Sequence, residues 1–234
     1  MSTPNLFQEQ TKNVKYLKKV EKNLHKDINS SITSKNDFSI KYKTLQYAHL
    51  YSALSEAEFL QILLTPNAFN ADETKSLKDK RKSIASRWKE MIDIGFNRID
   101  SNWKSNLDLS TKHSTIHKLI ETYIEKPQEL RNKIAHGQWI VAFNSNNTNI
   151  NSTTTSEINL LDQVKLSVWF QAHQHLCYII RDLIQSPTKA FNANFDNHYN
   201  NLNEWLKRTA NRTINRKKAK LQTKEKKREK KQPS

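Results

Sequence analysis

Glycine, cysteine and proline are scarce in this chain, whose 234 residues include two Gly, one Cys and five Pro. Two glycines cannot supply the glycine-rich loop of a Rossmann or P-loop nucleotide site, so both classes are excluded. One cysteine cannot form an intramolecular disulfide, which excludes a disulfide-stapled secreted scaffold. So few Gly and Pro also argue against many short strands joined by tight turns. Nine Phe, seven Tyr and five Trp can still fill a core.

Long apolar runs are also missing. The longest, near residues 59–64 and 169–180, are short or interrupted by polar residues, so we expect no segment that spans a bilayer. Met1–Gln10 lacks the charged region and apolar run of a signal peptide. These features predict a cytoplasmic protein without a membrane partner.

Acidic residues are in the minority, with 23 Asp and Glu against 39 Lys and Arg, and the formal net charge is +16. The excess is concentrated in Lys207–Lys231, where 13 basic and two acidic residues give a net charge of +11. We therefore predict a single helical domain over residues 1–206 and a basic tail over residues 207–234, helical or disordered.

This basic tail has two interpretations. It is either a solvated extension of the domain or an electrostatic footprint for nucleic acid, because Lys and Arg that neutralise phosphates release counterions. Binding to a membrane surface is disfavoured, since Arg208–Lys231 offers only Ile214 and Leu221 as large apolar residues.

Apolar residues recur at three- and four-residue spacing, and this periodicity predicts an all-α fold. Asp37 or Ser39 is expected to cap the second helix, which is apolar on most sides and therefore central. Pro127 suits the first turn of a later helix, and the polar segment Asn144–Ser156 is predicted to be an exposed loop. The predicted helices cover about 8–29, 40–64, 72–102, 115–125, 127–143 and 161–186, and a last one begins between 192 and 200 and includes Leu202–Leu206.

Residues 130–139 stand out from this background. On a helix with 100° per residue, the apolar side of the segment forms one stripe directed at the core. That stripe contains Leu130, Ile134, Gly137 and Val141. A glycine inside a helix costs about 1 kcal/mol relative to alanine, so Gly137 indicates a close approach between helices.

The outward side of the same predicted helix carries Arg131, Asn132, His136 and Trp139. Asn132 and His136 are four residues apart, so the amide is expected to orient the imidazole. An exposed Trp beside Arg and His indicates a partner surface or a stacking platform. The alternative is an ordinary polar helix face that happens to include one His.

The segment Arg131-Asn132-Lys133-Ile134-Ala135-His136 resembles the R-x(4–6)-H motif of HEPN-domain ribonucleases, in which a polar residue follows the arginine. Leu130 and Gly137 also resemble that family. The resemblance covers roughly residues 38–185 and implies a HEPN-like helical bundle with a basic C-terminal extension. It further implies a homodimer that combines Arg and His of two copies in one cleft and cleaves RNA without a metal or other cofactor.

The resemblance implies a role for each motif residue. His136 would act as general base or acid for attack of a ribose 2′-OH on the adjacent phosphate. Arg131 would stabilise charge on the phosphoryl oxygens, and Asn132 would hold the imidazole or contact phosphate. The products would be a 2′,3′-cyclic phosphate and a 5′-hydroxyl. DNA would not be cleaved, because it lacks the 2′-OH.

Further residues are expected to bind the RNA. They are Lys133 and Trp139 beside the motif and Arg212, Arg216, Lys217 and Lys218 in the basic tail. Proteins that this chain resembles are commonly toxins or abortive-infection effectors, so the resemblance implies a toxin or phage-defence role. An antitoxin protein or a regulatory RNA is then a possible further partner.

Other candidate residues favour structural interpretations. His173, His175 and Cys177 are close in sequence, but on a helix His175 points away from His173 and further zinc ligands are lacking, so no metal site is predicted. Cys177 is expected to be an inert core thiol. Glu56 or Glu58 could support the motif helix as a buried acid, although a rim position or a structural hydrogen bond is favoured.

Two other functions remain open. One is a HEPN-like helical module that binds RNA or nucleotide without cleaving it. The other is a helical interaction protein whose basic tail contacts nucleic acid or an acidic partner. The nuclease hypothesis differs from both because it requires Arg131 and His136 for activity.

Overall fold

The computed structural model describes residues 5–229 and confirms an all-α protein. Residues 1–4, and residues 230–234 at the end of the predicted tail, lie outside this range. Within it, β-type pairing is limited to a single bridge between Phe143 and Ile150. In chain order the α-helices are α1 (Leu6–Thr33), α2 (Asp37–Leu63), α3 (Ala71–Leu77), α4 (Ile84–Ile99), α5 (Leu107–Ile120), α6 (Lys126–Ala135), α7 (Ser152–Asn159), α8 (Gln163–Gln185), α9 (Asn192–Thr209) and α10 (Ile214–Glu229).

The first two predicted helices are confirmed as α1 and α2, which form a helical hairpin. The cap of α2 is Asn36 rather than Asp37 or Ser39, because Asn36 Oδ1 accepts a hydrogen bond from the Ser39 amide at 2.9 Å. Buried side chains lie on most sides of α2, among them Tyr47 and Tyr51. The expectation of a central second helix is therefore confirmed.

The single helix predicted over 72–102 is wrong, because α3 and α4 are separated by residues 78–83. Side chains in this polar stretch hydrogen-bond to nearby backbone. Asp79 Oδ1 accepts from the Arg81 amide at 3.0 Å, and Ser83 Oγ accepts from the Ser86 amide at 3.0 Å, which caps α4. Such local bonds compete with the continuous helical ladder.

The helices predicted over 115–125 and 127–143 form one continuous helical rod, which consists of α5, a π-helical turn at Glu121–Glu125, and α6. Pro127 lies in the first turn of α6, as predicted. Pro127 has no amide hydrogen for the carbonyl four residues earlier, that of Tyr123. The Tyr51 hydroxyl of α2 donates a hydrogen bond to that carbonyl instead. The π-helical turn and this tertiary contact let the rod pass through a proline that ends many helices.

Two clusters of buried side chains form the core. The first lies among the end of α2, α4, α5 and α8 and includes Trp88 and Phe96. The second lies among α1, α2, α6 and the start of α8 and includes Tyr47, Leu130 and Ile134. Leu130 and Ile134 are 4% and 3% exposed, so the core-facing stripe is confirmed for these two residues.

Gly95 allows a close approach between two helices of the first cluster. A Cβ at this position would lie 2.6 Å from Leu183 Cγ, so glycine lets α4 pack against α8. The close approach expected at Gly137 is not found there, because a Cβ on Gly137 would meet no atom within 4 Å.

The predicted exposed loop over 144–156 is confirmed only in its first half. Asn144–Ile150 forms turns, in which Asn144 Oδ1 accepts a hydrogen bond from the Thr148 amide at 2.9 Å. From Ser152 the chain is helical, because Asn151 Oδ1 accepts from the Thr154 amide at 2.9 Å and caps α7.

The C-terminal part of the chain folds back onto the body. The long helix predicted to close before Pro187 is confirmed as α8, and the last predicted helix is confirmed as α9. The domain boundary predicted at 206–207 lies inside α9, and α10 then packs against α1 and α8. Across residues 5–229, none of the helices has both the length and the apolar character needed to cross a bilayer.

Candidate active site

The motif helix ends one residue before His136. α6 closes at Ala135, and Gly137 has a φ of +77°, in the left-handed region that favours glycine. The Gly137 amide donates to the Ile134 carbonyl at 3.1 Å and the Gln138 amide donates to the Lys133 carbonyl at 3.0 Å. This pattern is typical of a glycine helix stop. The helix predicted to continue to residue 143 is therefore wrong, and Val141 lies at the surface with 36% exposure.

Arg131 is held by a carboxylate from α2. Its Nη2 forms an ion pair with Glu56 Oε1, and its Nη1 donates to Asn132 Oδ1 at 3.3 Å. The Nε atom of Arg131 is buried and has no hydrogen-bond partner in the described part of the chain. Because 23% of the Arg131 side chain and 41% of the Glu56 side chain are exposed, this pair lies at the rim of the body. The rim position favoured for Glu56 is confirmed.

Gln128 connects the two sides of this arrangement. Its Nε2 lies 3.4 Å from both Glu56 Oε1 and Asn132 Oδ1. The four side chains Glu56, Gln128, Arg131 and Asn132 thus form one polar network on the surface between α2 and α6. We call it the arginine network. Gln128 was not predicted from the sequence, because its partner Glu56 is 72 residues away and only the packing of α2 against α6 brings the two together.

His136 is exposed at the end of α6. The expected hydrogen bond with Asn132 is absent from the part of the chain that the structure describes. Asn132 Oδ1 is instead engaged by Arg131 and Gln128. His136 is the C-cap of α6 and its amide donates to the Asn132 carbonyl at 3.1 Å, but the Asn132 side chain is directed to Arg131 and Gln128 instead of the imidazole. The imidazole therefore faces solvent without a partner from its own helix.

The chain after His136 is held near the end of α6 by hydrogen bonds. Lys133 Nζ donates to the Phe143 carbonyl at 2.6 Å, and Gln138 Oε1 accepts from the Phe143 amide at 2.8 Å. The ammonium of Lys133 is thus used within the fold. Its predicted contact with RNA would have to replace or share this hydrogen bond.

Trp139 lies against the end of α6, where its Nε1 donates to the Ile134 carbonyl at 2.8 Å. The indole is 37% exposed, so its ring remains at the surface as expected. Other large apolar side chains nearby in the chain are also exposed, which the sequence analysis did not anticipate. This set, the apolar rim, consists of Trp139, Ile140, Val141, Phe143, Ile150 and Leu160. Phe143 and Ile150 of this set are paired across the single β-bridge, and exposed large apolar side chains are typical of an interaction surface.

The predicted basic tail contains a docked helix. Ile214 and Leu221 of α10 pack against the same core cluster that contains Leu130 and Ile134. Arg212 and Arg216 are exposed, and Lys218 lies 4.0 Å from Asp37. The basic side chains are therefore divided between a solvent-facing set and an inward-facing set.

Lys217 belongs to the inward-facing set. Its Nζ lies 2.9 Å from His25 Nε2 of α1. Burial lowers the pKa of Lys217 to about 8, against the opposing effect of Asp162. Burial and the charge of Lys217 lower the pKa of His25 to about 4. Lys217 is thus placed to dock α10, and its predicted contact with RNA would require α10 to move.

A buried polar network lies between α2 and α8, and we call it the Glu58 network. Glu58 Oε2 lies 3.0 Å from His173 Nδ1, and Glu58 Oε1 lies 2.8 Å from Lys18 Nζ and 3.3 Å from Arg181 Nη2. Burial raises the pKa of Glu58, but the hydrogen bond from His173 and these charges outweigh it and lower the pKa overall. The satisfied, structural interpretation favoured for His173 agrees with these contacts.

The same network includes a Ser–His–Glu sequence of contacts, because Ser55 Oγ lies 3.0 Å from His173 Nε2. A hydrolase would need this serine to reach a substrate. Ser55 is 3% exposed and His173 is 2% exposed, beneath the rings of Tyr51 and Trp88. Burial also raises the pKa of Cys177 well above its ordinary value, in agreement with an inert thiol. The Glu58 network is therefore structural.

Comparison of this chain with known protein families, with curated proteins and with solved structures finds no match. Function is accordingly inferred from the motif residues and their contacts. Two accessible groups matter most, the guanidinium of Arg131 and the imidazole of His136.

Proposed function

We propose that this protein is a metal-independent endoribonuclease of the HEPN type that acts as a homodimer. The observation that carries this proposal is the exposure of the His136 imidazole to solvent. Its imidazole is exposed at the end of α6, five residues after an arginine that Glu56 holds in place. A general base or acid must be accessible and free to exchange protons, and these two residues together match the requirements of phosphoryl transfer.

In the proposed reaction, His136 takes the proton of a ribose 2′-OH, and the 2′ oxygen attacks the adjacent phosphorus. The bond from phosphorus to the 5′ oxygen breaks, and that oxygen takes a proton from His136 of the second copy. The products are a 2′,3′-cyclic phosphate and a 5′-hydroxyl. Arg131 stabilises the charge on the non-bridging oxygens, and Asn132 contacts phosphate.

Two observations support a homodimer. Residues five apart on a helix are separated by about 140° around its axis, so Arg131 and His136 of one copy do not face each other directly. The apolar rim begins three residues after His136 and presents six large apolar side chains to solvent. A second copy that covers this rim would bring the two motifs together and remove apolar surface from water.

The solvent-facing cations of α10 support RNA as the substrate. Arg212 and Arg216 are exposed and lie on the half of the molecule whose core cluster also contains Leu130 and Ile134. Such cations increase affinity for phosphate without sequence preference. The biological role that we propose, a toxin or phage-defence effector restrained by an antitoxin protein or a regulatory RNA, follows from the family resemblance alone.

The decisive test compares His136→Ala with His49→Ala, since both replace an exposed histidine. We expect His136→Ala to lower the rate of RNA cleavage about 100- to 10,000-fold, the usual contribution of a general acid–base. His49→Ala should retain the wild-type rate. Purified protein would be incubated with total RNA and with the matching DNA, and the RNA ends would be mapped.

Two outcomes would contradict the proposal. One is equal cleavage by wild type and His136→Ala, which would point to a contaminating nuclease. The other is complete loss of cleavage in EDTA by protein that circular dichroism shows to be folded, which would indicate a metal-dependent enzyme. DNA should stay intact in every arm because it lacks the 2′-OH.

A second candidate function is RNA or nucleotide binding without cleavage. The ion pair of Arg131 with Glu56 favours it, because Glu56 occupies one of the two guanidinium nitrogens that a phosphate would use. Equal RNA affinity of wild type and His136→Ala, with intact RNA in both, would support this function over the nuclease.

A further inference from the structure

Three potential metal ligands meet between α4 and α5. His113 and His117 are four residues apart on α5, so both imidazoles project from one face of that helix. Helices offer two histidines to one metal ion at this spacing. Asp93 of α4 faces both rings, and the potential ligand atoms of the three residues lie within 4.8 Å of one another.

The distances require little adjustment to hold an ion. Asp93 Oδ1 lies 2.6 Å from His113 Nε2 and 3.5 Å from His117 Nε2. A tetrahedral Zn²⁺ with bonds of about 2.0–2.1 Å holds its ligand atoms roughly 3.3 Å apart. The Asp93–His113 separation therefore has to lengthen by well under 1 Å.

One ligand atom, His117 Nε2, is near the carboxylate of Asp93 at 3.5 Å but makes no hydrogen bond in the described part of the chain. The hydrogen bond from His113 to Asp93 satisfies the first imidazole. His117 Nε2, in contrast, is buried from solvent and makes no hydrogen bond within residues 5–229. Buried polar atoms are rarely left unpaired, and a bound cation would engage this nitrogen.

Neighbouring aromatic rings hold the two imidazoles in place. The His113 and His117 rings are 4.0 Å apart between centroids, and the Trp103 ring covers His113 at 4.2 Å. Phe96 contacts His113 edge-on at 5.2 Å. Ligands whose rotamers are fixed by packing lose little freedom when an ion binds.

Asp93 is suited to complete the set. Its carboxylate oxygen faces the Nε2 atoms of both His113 and His117. The Asp93 side chain is 51% exposed, so the outer side of the cluster is open to water.

We propose that Asp93, His113 and His117 bind one Zn²⁺ ion, with a water molecule as the fourth ligand. Two imidazole nitrogens and a carboxylate oxygen form a donor set that Zn²⁺ prefers. The ion ties α4 to the helical rod that carries the motif. His117 and Arg131 are 14 positions apart on that rod, about 21 Å along its axis, so the ion stabilises the rod and takes no part in chemistry at His136.

The sequence predicted no metal site, and the candidate ligands close together in it were His173, His175 and Cys177. Asp93 is 20 residues from His113, and only the packing of α4 on α5 brings them together. The other possible cluster, Glu58 with His173 and Cys177, is already filled by Lys18 and Arg181 and is not proposed as a metal site.

The test is a titration of the untagged full-length protein with Co²⁺, which replaces Zn²⁺ and absorbs visible light strongly only in tetrahedral sites. Wild type and His49→Ala should develop this absorption with one equivalent of Co²⁺ and lose it when Zn²⁺ is added. His117→Ala and Asp93→Asn should bind Co²⁺ at least about tenfold more weakly. Circular dichroism would establish that each variant is folded.

Several results would overturn the assignment. They are the absence of tetrahedral absorption in wild type, unchanged affinity in both Asp93→Asn and His117→Ala, and a thiolate-to-cobalt charge-transfer band, which would place the ion at Cys177. Because the readout is cobalt absorption, the outcome does not depend on whether RNA is cleaved. A second readout is thermal unfolding, which Zn²⁺ should shift upward in wild type and not in His117→Ala.

Discussion

His136 and His173 are the same residue type in opposite environments. His173 is buried and both of its ring nitrogens have partners, Glu58 and Ser55. His136 is exposed at a helix end and faces solvent. A buried imidazole with a partner at both nitrogens stabilises the fold, whereas an accessible imidazole is available for proton transfer. The chain of contacts from Ser55 through His173 to Glu58 resembles a catalytic triad. It is nevertheless the less reactive of the two arrangements.

The largest expected effect on stability comes from His173. We expect His173→Ala to lower the free energy of unfolding by about 3 kcal/mol, because it removes one partner of a buried carboxylate. His136→Ala should change it by less than about 0.5 kcal/mol, as exposed substitutions usually do. Urea denaturation followed by circular dichroism measures both values. Equal destabilisation by the two variants would show that His136 also contributes to the fold.

His25 and Lys217 are an intermediate case, because both are about half-buried and face each other. The pKa of His25 is lowered from 6.5 to about 4, so the unfolded chain binds a proton that the folded chain does not between these values. Stability should therefore rise with pH from about 4 to 6.5, by about 1–2 kcal/mol after allowance for partial exposure. The pKa of Lys217, lowered from 10.5 to about 8, predicts a second rise between those values.

Unfolding measured across this pH range tests the assignment. The variant His25→Gln should flatten the rise between pH 4 and 6.5 and leave the second rise in place. His49→Gln, which removes an exposed imidazole, should behave as wild type. An unchanged profile in His25→Gln would show that other groups cause the pH dependence.

The smallest expected effect is on the salt dependence of RNA binding, which should differ between the solvent-facing and the inward-facing cations of α10. Arg216→Gln should reduce the slope of log binding constant against log salt concentration by about 0.7, the value for one phosphate contact to single-stranded nucleic acid. Lys217→Gln should leave the slope unchanged, because its ammonium faces His25 rather than solvent. RNA binding measured at several salt concentrations by fluorescence anisotropy gives both slopes. Identical slopes in wild type and Arg216→Gln would mean that α10 does not contact the RNA.

The helices that sequence periodicity predicted well are those that are long and packed along one side. α1, α2 and α8 agree with the predicted ranges to within a few residues, because burial of an apolar stripe requires helical spacing. The errors occur where a local signal competes with a tertiary contact. Pro127 lies in the first turn of α6 as predicted, but the preceding helix continues into α6, because the Tyr51 hydroxyl, from a helix 72 residues away, satisfies the Tyr123 carbonyl.

The candidate site was predictable in part. Arg131, Asn132 and His136 could be singled out from their order in the chain, and Leu130 and Ile134 from their spacing. The helix stop at Gly137 could also have been anticipated, since glycine commonly ends helices. Glu56 and Gln128 could not be assigned to the site, because only the packing of α2 against α6 places them beside Arg131.

Composition and local spacing are enough to predict the all-α fold, the excess of positive charge near the C-terminus and the order of the motif residues. Which polar groups remain accessible depends on how the helices pack. Packing occupies Lys217 with His25, His173 with Glu58 and Arg131 with Glu56, and it leaves His136 exposed. A residue type sets what chemistry is possible, but burial and hydrogen-bond partners set whether that chemistry is available, and both arise from residues that are distant in the chain.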